Sequence, residues 1–155
     1  MRFDDYTATA RQVVREANEA ARESGHAQLG AGHVLLALLE TPDGHASRIL
    51  SSLGTQTSTL RQAVSDELKK LPTVEGDHRV VIDGRLLRVF DQARSNARAA
   101  RVPLTSTGHL ILAMANVAGT LAHRALHAAA ARRGLRPHDA PLSPATARPR
   151  FRRPV

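Results

Sequence analysis

Between Thr7 and Ser24 the apolar residues Ala10, Val13, Val14, Ala17, Ala20 and Ala21 recur at three-and-four spacing, with charged residues between them. That period predicts an amphipathic helix, and Gly25 supplies its stop. The next segment, Gly32 to Leu39, carries Val34, Leu35, Leu36, Leu38 and Leu39 on nearly every face and so predicts a short helix surrounded by protein. Thr41-Pro42-Asp43-Gly44 reads as a turn. A third helix follows over 45–53 and stops at Gly54, and a fourth over 58–71 has Leu60, Val64 and Leu68 as its buried stripe.

The pattern then repeats at a constant offset of 76 positions. Gly32-His33-Val34-Leu35-Leu36-Ala37-Leu38 returns as Gly108-His109-Leu110-Ile111-Leu112-Ala113-Met114, and Val13, Val14, Ala17 and Ala21 return as Val89, Phe90, Ala93 and Ala97. An uninterrupted shared offset points to duplication of one supersecondary unit. The second copy predicts helices over 84–101, 107–116 and 119–133. Its fourth helix is not expected, because Pro137, Pro141 and Pro144 fall where it would form and each removes a backbone donor. The expected organisation is a first repeat at 1–71, a polar linker at 72–81, a truncated second repeat at 82–135 and a disordered Arg/Pro-rich tail at 136–155.

Composition narrows the class. Aromatic residues make up 3% of the chain, while Ala and Leu are abundant, which suits close-packed helices better than a sandwich or barrel. The expected fold class is all-α, with two pseudo-symmetric four-helix repeats. There is no cysteine, so disulfides and thiolate metal sites are excluded. The N-terminal MRFDDYTATARQ has acids where a signal peptide needs a basic region, and no apolar run is long enough to cross a membrane, so a cytoplasmic protein is expected. Of the net charge of +8, +6 lies from Arg132 onward, where seven arginines face only Asp139. The basicity belongs to the tail.

Residue types argue against catalysis. The only lysines, Lys69 and Lys70, have no glycine run before them, so no phosphate-cradling loop of the P-loop kind is present. Nor is there a G-x-S-x-G elbow or a thiol nucleophile. His123 and His127 stand four apart, as two zinc ligands could, yet no HExxH glutamate or third ligand accompanies them, so they read as solvated polar positions. His33 and His109 occupy equivalent places at the start of the two apolar helices, where an imidazole can satisfy backbone groups. No enzyme activity, cofactor or metal is expected.

The repeated Gly-His-[Val/Leu]-[Leu/Ile]-Leu-Ala, followed in copy one by Asp43-Gly44 and Arg48-Ile49-Leu50-Ser51-Ser52-Leu53-Gly54, resembles the Clp amino-terminal domain. This is the double four-helix module at the front of Clp/Hsp100 unfoldases such as ClpC, ClpA and ClpB. Arg11-x-Val13-Val14-x-x-Ala17-x-x-x-Ala21, Leu71-Pro72-Thr73-Val74 and Arg85-Leu86-Leu87-Arg88-Val89 extend the likeness over residues 3–135. The resemblance implies a non-catalytic module that binds protein substrates or Clp unfoldase and adaptor components. Read as a stand-alone protein without ATPase modules, it implies an adaptor or decoy in Clp-dependent quality control.

The departures bear on the ligand. Where ClpC-type modules carry two glutamates that grip the guanidinium of phosphoarginine, this chain has Gly32 and Gly108, which counts against phosphoarginine recognition. By the same resemblance Thr7 would offer a hydroxyl to the phosphate, but its counterpart in copy two is Asp83. A second family surface, which receives adaptors and cyclic peptides, maps to Phe3, Arg11, Ile82, Arg85 and Asp91. The alternative reading is a nucleic-acid-associated protein that holds phosphates weakly and non-specifically through the arginine tail, without a recognition helix or stacking platform.

Overall fold

The computed structural model describes residues 3–41, 44–52 and 54–132. Seven helices occupy most of that length: α1 (Ala8–Glu23), α2 (Ala31–Glu40), α3 (His45–Ser52), α4 (Thr57–Lys69), α5 (Gly84–Ala99), α6 (Thr107–Asn116) and α7 (Leu121–Arg132). Each lies within two residues of the helix its hydrophobic period predicts. The expected tail at 136–155, and the prolines set against an eighth helix, lie outside the described residues. No helix of the described residues is long and apolar enough to cross a membrane.

The two apolar helices form the centre. Val34, Leu35 and Leu38 of α2, and Leu110, Ile111 and Met114 of α6, are fully buried in one continuous core. The amphipathic helices shield them, α1 and α4 on α2, α5 and α7 on α6. The copies also interleave. Helix α7 packs on α4 and α2 of the first copy, and α3 packs on α6 of the second. Neither repeat buries its apolar helix with its own residues alone.

Two short strands were not legible in the helical period. Gln28–Leu29 (β1) pairs in parallel with Val81–Ile82 (β2), aligning Gln28 with Val81 and Leu29 with Ile82. The echo of this pairing is a parallel bridge between Tyr6 and Thr105. Each copy therefore threads the stretch before its apolar helix alongside the stretch before the other copy's first helix. The 72–81 connection, polar in sequence, is fastened to the α1–α2 loop: Val74 N–H donates to the Gly25 carbonyl at 2.8 Å, His78 Nε2 to the His26 carbonyl at 3.0 Å, and Val81 N–H to the Ala27 carbonyl at 3.0 Å.

Gly25 is required at the end of α1 on two counts. Its φ is +75°, and a Cβ there would lie 3.2 Å from the Val74 carbonyl oxygen. Its counterpart in copy two is Arg101, which also takes a positive φ, +56°, and bears the strain that glycine avoids.

Candidate functional site

The start of α2 is built around an imidazole. Gly30 has no side chain with which to cap the helix, and His33, at the third helical position, turns back so that its Nδ1 accepts the Gly30 N–H at 3.0 Å. His109 repeats the arrangement at α6, where its Nδ1 accepts the Ser106 N–H at 2.9 Å and Ser106 Oγ lies 3.0 Å from the same nitrogen. The backbone role expected of both histidines is the one they perform.

Gly32, Asp83 and Arg85 come together. The N-terminal turns of α2, α5 and α7 converge on a cleft of about 200 Å³ lined by these three residues together with His33, Gly119 and Arg124. Arg85 Nη1 donates to the Gly119 carbonyl at 3.0 Å, which ties α5 to the turn before α7. Ile82 sits beside the cleft, held by its register with Leu29. The three helix starts turn partially positive ends and free N–H groups toward one space, and Arg85 and Arg124 add full charges against one from Asp83. The arrangement can hold polar or anionic groups of a ligand.

Gly32 and Gly108, equivalent in sequence, differ in their surroundings. At Gly32 an added Cβ would meet Leu121 Cδ2 at 3.1 Å and Leu68 Cδ2 at 3.2 Å, so leucines occupy the space a side chain would need. At Gly108 the nearest atoms are Ser106 Oγ at 3.5 Å and Ile49 Cδ1 at 3.8 Å, an ordinary contact distance.

Thr7 belongs to the equivalent region of the other copy, where its N–H donates to the Thr105 carbonyl at 3.0 Å. Its Oγ1 accepts from the Ala10 N–H at 3.2 Å as the N-cap of α1. Arg11, one turn further, is solvent-exposed. Thr7→Ala is expected to lower stability by about 1 kcal/mol through the lost cap, measured as a shift in the urea midpoint at unchanged slope. An unaltered midpoint would mean that the hydroxyl does not cap the helix.

Phe3 and Asp91 mark a third place. Phe3 is half-buried and packs edge-on against Tyr6 and Phe90, with ring centroids 5.3 and 5.5 Å away. Tyr6 OH donates to the Phe90 carbonyl at 3.2 Å. Burial, against a smaller opposing pull from Arg94, pushes the Tyr6 hydroxyl up to about 12. Asp91 is exposed and pairs with Arg94 one turn along α5. Phe3 thus anchors the N-terminal segment on the core while leaving part of its ring accessible.

One histidine pair, His26–His33, was not legible in the sequence, and a second, His123–His127, differs from its expected surroundings. His26 Nδ1 and His33 Nε2 are 2.8 Å apart, with the two rings only 6% and 5% exposed. Burial lowers both imidazoles, and the charge of His26 lowers His33 further, to about 4. His123 and His127 are not the solvated positions their spacing suggested. They are half-buried, their ring centroids stand 3.9 Å apart, and His127 Nε2 donates to the Ala115 carbonyl at 2.9 Å. His123 is lowered by burial first and then by His127. Among the described residues no three metal-ligating side chains come together.

The family model of the Clp repeat (R) N-terminal domain matches residues 5–129. A probable ATP-dependent Clp protease ATP-binding subunit of Chlamydia pneumoniae is 29% identical over 124 residues, which cover 80% of this chain and 15% of that protein. The chaperone protein ClpB 1 of Parasynechococcus marenigrum is 33% identical over 113 residues, covering 72% of this chain and 13% of that one. The chain therefore spans only a small fraction of these relatives' lengths. In fold it is similar to the Hsp104 N-terminal domain from Candida albicans, with a TM-score of 0.72 at 16% identity over 88% of this chain and 87% of the other. It is similar also to the ClpV N-domain solved in complex with a VipB peptide, with a TM-score of 0.67 at 17% identity over 90% and 88%.

Proposed function

The chain belongs to the Clp repeat (R) N-terminal domain family, and on that premise we propose that it is a non-catalytic polypeptide-binding module, serving Clp-dependent quality control as an adaptor or decoy. The observation that carries this reading is the cleft where the starts of α2, α5 and α7 meet, rimmed by Asp83, Arg85 and Arg124. Free helix N–H groups and guanidinium donors suit the carbonyl and carboxylate groups that an unfolded chain or adaptor loop exposes. The ClpV N-domain, a structural neighbour, has been solved with a peptide bound, which supports the same class of ligand here. Gly32 withholds a carboxylate from this cleft, and Leu121 and Leu68 take up its space, so a phosphoarginine guanidinium is not the ligand favoured.

The test is retention of a permanently unfolded model protein, and of Clp unfoldase subunits, on the immobilised chain. Capture of either is expected, with affinity lowered roughly tenfold in the Arg85→Ala, Arg124→Ala double variant. No capture above background would overturn the reading. Capture that disappears when residues 136–155 are removed would assign the binding to the arginine-rich tail instead.

A further inference from the structure

A cavity of about 350 Å³ opens between α1, α2 and α4, on the other side of His33 from the cleft. The His26–His33 pair lines it together with apolar Leu36 and Leu68, and the exposed residues at its rim include Glu16, Glu40 and Lys69. Hydrogen bonding fixes where the protons are. Because His33 Nδ1 accepts the Gly30 N–H, neutral His33 carries its proton on Nε2 and donates it to His26 Nδ1, 2.8 Å away. Neutral His26 must then carry its own proton on Nε2. That nitrogen has no hydrogen-bond partner among the described residues, although the ring is only 6% exposed and lines the cavity. Fixed in one tautomer and left without a protein acceptor, this donor reaches the surface of the cavity, where an acceptor of a ligand can meet it.

The rim indicates what that something carries. Glu16 and Glu40 supply two carboxylates against the single ammonium of Lys69, and burial keeps the histidines neutral, so the cavity favours a cation. Glu16, which also accepts from Gln12 Nε2, and Glu40 border an adjoining hollow of about 520 Å³ that continues along α1 past Ala8, Thr9 and Gln12, with the exposed Arg15 on its wall. The groove so formed follows much of α1, which at 16 residues is about 24 Å long, enough for several residues of a chain. The second copy offers a contrast within the same molecule. The positions equivalent to Glu16, His26 and Glu40 are Gln92, Val102 and Asn116, so both carboxylates and the imidazole donor are missing there.

We propose that this cavity is a second polypeptide site, distinct from the Arg85–Arg124 cleft, which takes an arginine or lysine side chain of an extended segment. The cation lies between Glu16 and Glu40, and a backbone carbonyl of the same segment accepts from His26 Nε2. Lys69, across the cavity on α4, repels the cation and keeps it on the α1–α2 side. The proposal rests on the polypeptide-binding reading and names the chemistry of a separate site.

Fluorescence anisotropy at low salt with a labelled Ala-Arg-Ala-Arg-Ala peptide tests it, using the full chain and the Glu16→Gln, Glu40→Gln double variant. Both glutamates are exposed, so the variant folds. The expected result is a loss of roughly tenfold in affinity in the variant, a gain in Lys69→Gln, and weak binding of the matching peptide with Glu in place of Arg. Undiminished affinity in the double variant would overturn the site, as would amide shift changes that cluster at Arg85 and Arg124 rather than at Glu16, His26 and Glu40. Loss of the arginine peptide with unfolded-client capture retained separates this site from the cleft; loss of client capture in the Arg85→Ala, Arg124→Ala variant with peptide affinity unchanged separates the cleft from this site.

Discussion

Acidification from pH 6.5 to 4 is expected to remove on the order of 3 kcal/mol of stability through His33 alone. Burial and the neighbouring His26 hold His33 at about 4 in the folded protein, against 6.5 when it is exposed. Across that window the unfolded chain binds more protons than the folded one. Stability is therefore complete above pH 6.5, falls as the pH drops, and has lost the whole contribution below about 4. The structural reason is a collision of donors. A protonated His33 carries N–H on both nitrogens, so its Nδ1–H would face the Gly30 N–H that it now accepts, and the cap of α2 would be lost. His26, His109 and His123 are lowered by burial as well and move stability in the same direction. Glu16, Glu40 and Lys69 stand at the exposed rim of the same cavity, where salt and solvent screen their effect on the pair. Urea denaturation at half-unit steps between pH 4 and 7 measures the slope. His33→Gln, which can still accept from Gly30 but cannot charge, should flatten it; an identical slope in that variant would show that His33 is not the titrating group.

Helix positions were legible because each helix carries its own evidence. The stripe Ala10, Val13, Val14, Ala17 states both the period and the buried face of α1, and an all-apolar segment such as Val34–Leu39 states that α2 is enclosed. The cap roles of His33 and His109 were legible for a different reason, since two copies of one residue at one helix position define a local task. What escaped depends on contacts distant in sequence. Two-residue strands leave no alternation to detect, and the Phe3–Tyr6–Phe90 cluster joins residues 84 and more positions apart. The three helix starts around the cleft are separated by about 50 and 40 residues, so Arg124 could not be grouped with Asp83 and Arg85 before the interleaving of α7 with the first copy was known. The His26–His33 pair was hidden by the duplication itself. Copy two has Val102 where copy one has His26, so the repeat marks His33 and His109 and leaves unmarked the residue that makes His33 unusual.

Gly32 and Gly108 are equivalent in the repeat, and their surroundings separate them. Glutamate at Gly108 gains about 1 kcal/mol of helix propensity over glycine and a few tenths more from a negative charge in the first turn of α6, with no atom close enough to resist its Cβ. Glutamate at Gly32 gains the same local terms but must displace the methyl ends of Leu121 and Leu68, which begin 3.1 and 3.2 Å from its Cβ. Overpacking of this kind costs about 1–3 kcal/mol, and here it also presses on the contact between α7 and the first copy. The expected result is that Gly108→Glu stabilises the protein by about 1 kcal/mol, whereas Gly32→Glu loses that gain and destabilises the protein by up to about 2 kcal/mol. Thermal and urea denaturation of the two single variants measure both. The double variant should lie near the sum, because the two sites share none of the neighbours that a Cβ would meet. Equal effects in the two single variants would mean that Leu121 and Leu68 yield freely, and would remove the steric reason for glycine at the start of α2.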